Sequence, residues 1–345
     1  MDCSTTKLVL AAALGAGAGI LGCHLVCAHT HGRCPFSASC CSKAKASCCA
    51  RDERKSNTDT NTDTDPSCAA AGDEAQSNPD QPARFAQHKA DGVVRVMDID
   101  AVFEPSSYSG RRVLVTGSNR GLGLALVQQA AACGATVYAT CRRPSEALAA
   151  VGGDVRIIEG VDVTKDAAMA TLVAGVDAPL DVVINNAGYF YGPTERLESL
   201  AFDEELKMID ICAVGMLRVT AALWNAKKIT PGGKVAMITS QGGSISWREV
   251  QNPAGGDYGH HMSKAAANMM GKLVAQELKG QVAVAILHPG FCRTDMTNKY
   301  ADIYDEHGAV ESSIGAKRVL HQINLTALKD NAKLVNCEDG LTIPW

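Results

Sequence analysis

The sequence lacks a strong excess of charge of either sign. Its 345 residues carry 33 lysines and arginines against 37 aspartates and glutamates, for a formal net charge of −4. Because nucleic-acid-binding proteins usually present a basic surface, this balance argues against a nucleic-acid partner. The apolar fraction of 46% is ordinary for globular proteins, and the chain can bury a sizeable core in one or two domains.

Cysteine is scarce in most of the chain. Nine of the 14 cysteines fall within the first 68 residues, and only five fall in the rest. The total therefore does not describe one disulfide framework, and the front of the chain is a different kind of polypeptide. The five later cysteines lie on different predicted elements without a paired pattern, so we interpret them as small apolar side chains.

Polar side chains are nearly absent from residues 8–28, where His24 is the exception. As a helix this segment would reach about 31 Å, enough for the hydrocarbon core of a membrane. Lys7 precedes it and the small residues Val26-Cys27-Ala28 end it, as in a signal peptide. Residues 1–30 are therefore either a cleaved signal peptide or a retained membrane anchor. They would direct the protein to the secretory pathway, the endoplasmic reticulum membrane or an organelle such as a plastid.

Large apolar residues are nearly absent from residues 57–82, so this segment cannot offset the entropy cost of ordering. The stretch before it carries Cys34, Cys40, Cys41, Cys48 and Cys49 among basic residues. It is an organelle transit segment, a site of cysteine acylation or, least favoured, a metal site, because adjacent cysteines lack the spacer of zinc sites. We predict a disordered linker over 31–92, no metal site, and a folded domain over 93–345.

Short apolar strands alternate with helical patterns from residue 110 onward. The predicted strands are 112–116, 135–140, 155–158, 181–185, 234–240, 282–288 and 333–336. A helical pattern over 122–133 follows the first of them. Buried strands that alternate with crossover helices indicate an α/β fold with a doubly wound parallel sheet in a single domain.

A glycine-rich turn connects the first predicted strand to the first helix. It reads Thr116-Gly117-Ser118-Asn119-Arg120-Gly121-Leu122-Gly123. Glycines let the backbone turn tightly and approach a pyrophosphate, and the helix N-terminus then faces the negative phosphates. Because it lies between a strand and a helix, this turn predicts a dinucleotide site.

Further motifs follow in order along the chain. They are Asp162-Val163-Thr164, Asn185-Asn186-Ala187-Gly188, Thr239-Ser240-Gln241-Gly242-Gly243, Ser263-Lys264, and His288-Pro289-Gly290 with Thr294. With the glycine turn, they resemble the short-chain dehydrogenase/reductase family, and within it the carbonyl-reductase, sniffer-like and C-factor-like branch. The resemblance covers residues 110–345 and implies a Rossmann-type fold. It also implies hydride transfer between a nicotinamide cofactor and a carbonyl or alcohol.

The resemblance implies a role for each matched residue. Gly117, Gly121 and Gly123 would hold the pyrophosphate, with Asn119, Arg120 and Leu122 beside them. Asp162 and Val163 would flank the adenine, and Asn186, Ala187 and Gly188 would line the adenosine side. Pro289, Gly290 and Thr294 would contact the nicotinamide end.

A carboxylate is missing at the end of the second predicted strand, where an NAD site needs one for the ribose hydroxyls. The chain reads Ala139-Thr140-Cys141-Arg142-Arg143 there. Arg142, helped by Arg120, can bracket a 2′-phosphate instead. We therefore predict NADP as the cofactor in preference to NAD.

The family's catalytic residues are a Tyr–Lys pair helped by a Ser and usually an Asn. Ser240 matches the Ser, and Lys264 matches the Lys, which would also hold the nicotinamide ribose. The Tyr is expected four residues before the Lys, on the same helical face, and that position is His260. The Asn is expected three residues before Gly215, and that position is Cys212.

Three explanations of these replacements stay open. In the first, His260 transfers the proton, since an imidazole with a pKa near 6.5 is a competent acid or base. In the second, Tyr258 does so. It lies six residues before Lys264 and would point about 240° away in an unbroken helix, so it needs a non-helical backbone, which Gly259 permits. In the third, the chain binds NADP but turns over poorly or not at all.

The sequence gives few signals about the surface that would face a substrate. Trp247, residues 251–256 and residues 299–308 are candidates to cover it, although Trp247 could equally belong to the core. The last of these carries Asp302, Asp305 and Glu306, which disfavours anionic substrates. His261 is expected on the surface or on a substrate rim rather than on a metal.

These observations predict an NADP-dependent oxidoreductase for a small carbonyl or alcohol. The alternative is a catalytically weak or inactive NADP-binding or interaction protein of the same fold. The intact Ser240 and Lys264 favour the first, and the missing tyrosine favours the second. Homodimer formation and membrane attachment through 8–28 are left open.

Overall fold

The structure is a computed structural model that describes Ala90 and residues 97–345 except Asn331. The predicted signal peptide or anchor at 1–30 and nearly all of the linker at 31–92 lie outside the described residues and stay predictions. Within the described part, no helix is long and apolar enough to span a membrane. The same part contains no group of three or more His, Cys, Asp or Glu side chains placed to hold a metal ion.

Strands and helices alternate along the described chain. The strands are β1 (Arg112–Thr116), β2 (Thr136–Thr140), β3 (Val155–Ile158), β4 (Leu180–Asn185), β5 (Ile229–Ile238), β6 (Ala283–His288), β7 (Cys292–Arg293), β8 (Val310–Glu311) and β9 (Leu334–Asn336). The α-helices are α1 (Ile99–Val102), α2 (Gly121–Ala132), α3 (Glu146–Ala149), α4 (Ala168–Gly175), α5 (Phe202–Ile209), α6 (Gly215–Asn225), α7 (Arg248–Gln251), α8 (Tyr258–Glu277) and α9 (Ser312–Leu325). Short 3-10 helices cover Pro105–Tyr108, Gln241–Gly243 and Asn298–Ile303, and a π-helical turn covers Asp210–Val214.

Seven strands form one parallel sheet in the order β3-β2-β1-β4-β5-β6-β9. The chain moves outward from β1 to β3, returns to place β4 beside β1, and then moves outward on the other side. The predicted doubly wound sheet is confirmed. The reversal brings the carboxyl ends of β1 and β4 together, and ligands of such sheets bind at that point.

Both faces of the sheet are covered, which explains the nearly continuous apolar strands. On β1, Leu114 packs into one buried cluster together with Leu223 of α6. Val113 and Val115 pack into the opposite cluster together with Leu126 of α2. Because successive side chains of a strand point to opposite faces, a strand covered on both sides is apolar at every position.

The boundaries of β5 differ from the predicted 234–240. The strand begins at Ile229 and pairs with β4 across an irregularity between Leu180 and Val182. It ends at Ile238, because Ser240 begins a turn in which its hydroxyl accepts a hydrogen bond from the N–H of Gly242 at 2.9 Å. A hydrophobic pattern does not reveal either feature, since both depend on hydrogen bonding rather than on burial.

Candidate functional site

The glycine turn after β1 has no room for β-carbons. A β-carbon on Gly123 would stand 2.1 Å from the carbonyl oxygen of Gly117. Gly117 and Gly121 adopt left-handed φ angles of +68° and +53°. Helix α2 begins at Gly121, and Arg120 before it supplies no side-chain cap. Since the first N–H groups of a helix have no partner within it, those of α2, including that of Leu122, are available to an anion.

Asn186 fastens the end of β4 to the glycine turn. Its side-chain amide donates hydrogen bonds to the carbonyl oxygens of Thr116 at 3.0 Å and Gly117 at 3.3 Å. The backbone N–H groups of Asn186 and Ala187 both donate to the hydroxyl of Thr116, each at 3.0 Å. Gly188 follows directly. Two predicted cofactor segments are therefore joined at the switch point of the sheet.

Asn119 connects the glycine turn to the loop after β2. Its side-chain amide donates to the carbonyl oxygen of Arg143. Arg142 is exposed on this loop. Burial raises the pKa of Asp162, but two hydrogen bonds from Thr164 and the charge of Arg142 hold that pKa below its usual value. The guanidinium of Arg142 therefore lies within electrostatic reach of Asp162.

The loop after β6 also reaches the glycine turn. The methyl carbon of Thr294 is 3.3 Å from the position that a β-carbon on Gly121 would occupy. Asp295 pairs with Arg120 at 3.1 Å, and both side chains are about 70% exposed. Exposed pairs of this kind contribute little stability, so Arg120 remains able to exchange partners.

The predicted cofactor residues thus converge at the carboxyl ends of the central strands. The remaining ones are Val163 after β3, and Pro289 and Gly290 after β6. The arrangement combines a turn whose glycines let a ligand approach the backbone, a helix N-terminus and an exposed arginine on the neighbouring loop. These are the features that a dinucleotide requires, so the residues present fit NADP. We call this glycine turn the cradle.

Ser240 and Lys264 lie on neighbouring elements that pack closely. A β-carbon on Gly243 would stand 2.6 Å from the backbone of Lys264, so a glycine there lets α8 approach the serine loop. The Lys264 side chain is buried, and its Nζ lies 3.4 Å from the carbonyl oxygen of Ile238. The structure therefore brings these two predicted residues to the same end of β5.

His260 lies beside Ser240, one turn before Lys264 on α8. The position that a β-carbon on Gly242 would occupy is 3.0 Å from Nε2 of His260 and 3.2 Å from Oγ of Ser240. The imidazole stacks on the ring of Phe190, with ring centres 4.4 Å apart. Its Nδ1 is buried and has no hydrogen-bond partner. Nε2 and the serine hydroxyl therefore lie close to each other beside Gly242.

The imidazole of His260 is neutral at neutral pH. Burial lowers its pKa well below the usual value. Cationic neighbours lower that pKa further, in the order Lys264, His261, Lys299 and Arg248. A neutral imidazole has one nitrogen that donates a hydrogen bond and one that accepts.

Tyr258 is the first residue of α8, which continues without a break to Glu277. The residue before it, Asp257, has a left-handed φ of +48°. Because every residue from Tyr258 to Lys264 is helical, the two side chains point about 240° apart around the helix. The non-helical backbone that Tyr258 needs in order to reach the site is not present.

Cys212 lies in the π-helical turn between α5 and α6. Its side chain is fully buried. Its Sγ lies 3.4 Å from both the N–H and the carbonyl oxygen of Tyr189, accepting from the first and donating to the second. Cys212 therefore holds the loop after β4 in place, as a small buried side chain can.

His261 is half-buried and supports the serine loop, and its expected place on a substrate rim stays a prediction. Its Nδ1 lies 2.9 Å from the carbonyl oxygen of Gly242 and 3.0 Å from a guanidinium nitrogen of Arg248. The side-chain amide of Asn252 lies 3.2 Å from its Nε2. We did not predict Arg248 as a functional residue, and we predicted Asn252 only as part of the candidate cover 251–256, since no spacing in the sequence signals this network.

The predicted substrate cover is only partly as expected. Trp247 is 4% exposed and packs in the core, so it does not cover the site. In residues 299–308, the side chains of Asp302, Asp305 and Glu306 are exposed to solvent. Lys299 instead turns inward, with its Nζ 3.9 Å from the ring centre of Phe190. We named Lys299 only as part of the candidate cover 299–308 and did not predict its inward direction, because a single lysine in an acidic segment carries no distinguishing signal.

Comparison with known proteins agrees with this geometry. The family model for short chain dehydrogenase matches residues 111–304. The chain is also similar to a 1-hydroxy-2-glutathionyl-2-methyl-3-butene dehydrogenase of Rhodococcus sp. (strain AD45). The two are 31% identical over 237 residues, which cover 68% of this chain and 99% of that protein.

Two solved structures share the fold at 25% identity. The NADPH-bound carbonyl reductase from chicken fatty liver has a TM-score of 0.61 and matches 69% of this chain and 100% of its own. The carbonyl reductase Sniffer of D. melanogaster has a TM-score of 0.57 and matches 68% of this chain and 100% of its own. The resemblance to carbonyl-reductase and sniffer-like proteins is confirmed. The chain belongs to the short-chain dehydrogenase family of oxidoreductases.

Proposed function

We propose that the protein is an NADP-dependent oxidoreductase that interconverts a carbonyl and an alcohol, with His260 in the place of the usual tyrosine. The observation that carries this proposal is the approach of Nε2 of His260 and Oγ of Ser240 to one point beside Gly242. A substrate oxygen bound next to these two groups can receive hydrogen bonds from both. Polarisation and protonation of a carbonyl oxygen require such an arrangement.

Each side chain has a separate task in this scheme. The Ser240 hydroxyl donates a hydrogen bond to the substrate oxygen and steadies the negative charge that develops there. His260 delivers a proton to that oxygen during carbonyl reduction and removes it during alcohol oxidation. The ammonium of Lys264 keeps the surrounding potential positive and would hold the nicotinamide ribose. Bound NADPH would supply the hydride to the carbonyl carbon, and NADP would accept it in the reverse direction.

A preference for NADP over NAD is part of this proposal. It is supported by the exposed Arg142 on the loop after β2 and by the absence of a carboxylate at the end of that strand. The chicken carbonyl reductase was solved with NADPH bound, which agrees with this choice. We expect a much lower Michaelis constant for NADPH than for NADH, and equal constants would contradict the preference.

An NADP-binding protein with little or no turnover is the second candidate. Two of the four expected catalytic positions carry His260 and Cys212. In addition, the low pKa of His260 leaves little imidazolium at neutral pH to act as an acid. These observations support the second candidate. Only a measurement of turnover distinguishes it from an active oxidoreductase.

Carbonyl reduction by the wild type and three variants separates the candidates. We expect His260→Ala to lower kcat about 10²- to 10⁴-fold while NADPH binding persists, and Tyr258→Phe to keep its full rate. Activity only in His260→Tyr would identify the native chain as a binding protein. A large loss in Tyr258→Phe would instead assign the proton transfer to Tyr258.

The pH dependence provides an independent check on His260. Because its pKa lies below 6.5, the imidazolium fraction grows as the pH falls toward that pKa. We therefore expect carbonyl reduction to accelerate as the pH falls from about 8 to 5.5, whereas alcohol oxidation, which uses the already dominant neutral imidazole, changes little over the same range. A wild-type profile for carbonyl reduction that is flat over this range would contradict proton transfer by His260.

Delivery of the domain by its N-terminus is a separate proposal. We infer from the apolar run at 8–28 that residues 1–30 direct the protein to the secretory pathway, the endoplasmic reticulum membrane or an organelle such as a plastid. N-terminal sequencing of the mature protein, together with membrane fractionation, distinguishes a cleaved signal peptide from a retained anchor. Recovery of the uncleaved chain from the cytosol would contradict both.

A further inference from the structure

A buried ammonium group lies close to the proposed catalytic residues. Lys299 belongs to the 3-10 helix Asn298–Ile303, yet its side chain is only 18% exposed. Its Nζ is buried and makes no hydrogen bond. Because a buried charge is costly unless it is paired and hydrogen-bonded, the surroundings of this group call for an explanation.

Two aromatic rings and one carboxylate surround the ammonium of Lys299. Nζ lies 3.9 Å from the ring centre of Phe190 and 5.1 Å from that of Tyr300, both within the range of cation–aromatic attraction. Oδ1 of Asp257 lies at 3.6 Å, which is too long for a hydrogen bond. The charge of Lys299 is therefore only loosely compensated, and its N–H donors are available.

Asp257 is not a dedicated partner of Lys299. Its Oδ2 accepts a hydrogen bond from the hydroxyl of Tyr300 at 3.4 Å, and its Oδ1 accepts one from the N–H of Glu195 at 3.4 Å. All of these contacts are long. The N–H donors of the ammonium that Asp257 leaves unused are therefore available to an additional oxygen ligand.

Phe190 joins the ammonium to the proposed proton donor. The same ring that contacts Nζ of Lys299 stacks on the imidazole of His260, with ring centres 4.4 Å apart. The charge of Lys299 is also one of the causes that lower the pKa of His260, so the two groups are within electrostatic reach. Phe190 thus contacts both the ammonium and the imidazole.

The acidic residues of the same segment do not oppose this charge. Asp302 and Glu306 are exposed, and Asp305 pairs with Arg293 at 2.5 Å. The expectation that residues 299–308 disfavour anionic substrates counted these side chains without knowing their direction. The cation faces inward and these acids face solvent, so the acidic composition of the segment does not set the charge beside the site.

We propose that Lys299 selects carbonyl or alcohol substrates that carry a carboxylate or a similar anionic group about one aromatic ring away from the reacting carbon. This inference rests on the proposed function, because the ammonium lies beside the residues assigned to proton transfer. The substrate anion accepts charge-assisted hydrogen bonds of about 2.8 Å from the N–H donors that Asp257 leaves unused. The flat faces of Phe190 and Tyr300 pack against the body of the substrate.

A matched pair of aldehydes tests the inference. 4-Carboxybenzaldehyde and methyl 4-formylbenzoate have nearly the same shape, but only the first carries an anion. We expect the wild type to reduce the acid with a kcat/KM about tenfold above that of the ester. Lys299→Gln should remove this preference, and Asp302→Asn, a change of an exposed acid in the same segment, should leave the ratio unchanged. A wild-type ratio near one would overturn the proposal without reference to any variant.

The variant Asp257→Asn distinguishes a substrate-binding role of Lys299 from a purely structural one. Asparagine keeps the size of the side chain and tolerates the left-handed backbone, but it removes the carboxylate that competes for the ammonium. We expect the ratio of acid to ester to rise about threefold above the wild-type value. A ratio at or below the wild-type value in a folded variant, judged by circular dichroism, would contradict the competition.

Binding measurements separate a failure of this inference from a failure of the proposed function. If the ester is reduced but the acid is not preferred, the role of Lys299 is wrong and the oxidoreductase stands. If neither aldehyde is reduced, the proposed function fails. Calorimetric titration of 4-carboxybenzaldehyde into the NADP-loaded protein then decides the role of Lys299. Binding that Lys299→Gln abolishes supports the inference, whereas absent or equal binding overturns it.

Discussion

The two halves of the site are built from different parts of the chain. The cofactor half comprises the glycine turn 116–123 with segments 186–188 and 289–294. It is formed mainly by main-chain atoms that leave little room for side chains at the glycines. The catalytic half, which comprises Ser240, His260 and Lys264, is formed by side chains that project from the end of β5 and from α8. The cofactor half depends on the path of the backbone, and the catalytic half depends on the identity of the side chains.

This difference explains why the departures from the family pattern fall in the catalytic half. In the cofactor half, a β-carbon on Gly123 would stand 2.1 Å from a carbonyl oxygen, so a larger residue cannot be accommodated. In the catalytic half, α8 stays regular from Tyr258 to Glu277 with His260 in place of the expected tyrosine. A side chain on a regular helix can be replaced without moving the backbone. The catalytic group can therefore differ between proteins that share this fold.

Gly123→Ala would break the cofactor half and has the largest expected effect. The added methyl group collides with the carbonyl oxygen of Gly117 and with the amide of Asn186 at 2.5 Å, so the turn must move. We expect NADPH affinity to fall at least about a hundredfold and stability to fall by about 1–3 kcal/mol. Gly152→Ala is the control, since nothing lies within 4 Å of its β-carbon position. NADPH titration by fluorescence measures the effect, and an unchanged affinity would show that the cradle is not the binding site.

Arg142→Ala sharpens the comparison, because it changes a side chain within the cofactor half. An exposed guanidinium bound to a phosphate contributes modestly, so we expect the NADPH dissociation constant to rise about tenfold and that for NADH to stay constant. Lys317→Ala removes a surface cation that pairs with Asp100 and serves as the control. Equal changes for both cofactors would place Arg142 away from the 2′-phosphate.

His260→Gln tests the catalytic half by stability alone and has the smallest expected effect. The pKa of His260 in the folded state lies below its value of about 6.5 in the unfolded state. Between these two pKa values the unfolded state binds more protons. The stability of the fold therefore falls as the pH drops below about 6.5. Removing the imidazole should therefore reduce the loss of Tm between about pH 7.5 and 5.5 by roughly 2 °C or more. His307→Gln, at an exposed position, is the control. An unchanged loss of Tm in His260→Gln would show that His260 is not buried in its neutral form.

Much of the fold was predictable because its signals are local. The apolar run Val113-Leu114-Val115 indicates a strand buried on both faces, and the glycines after it mark the turn into α2. The positions of Ser240 and Lys264 followed from motif spacing. Their proximity is a consequence of the adjacent packing of the serine loop and α8, and it agrees with the prediction.

Other features could not be predicted, because they depend on residues far apart in the chain. The inward direction of Lys299 is set by Phe190 and Asp257, neither of which is near it in sequence. The burial of Trp247 and the support of the serine loop by His261 and Arg248 depend in the same way on packing. Composition alone made the segment 299–308 look acidic toward the substrate, whereas its acids face solvent.

The sequence by itself determined the doubly wound sheet, the glycine cradle and the replacement of the expected tyrosine by His260, because hydrophobic periodicity and fixed spacings are properties of neighbouring residues. Only the tertiary structure decided that the backbone from Tyr258 to Lys264 is helical, that burial lowers the pKa of His260, and that Phe190 contacts both its imidazole and the ammonium of Lys299. The physical reason is that direction, burial and local charge are set by contacts between distant segments.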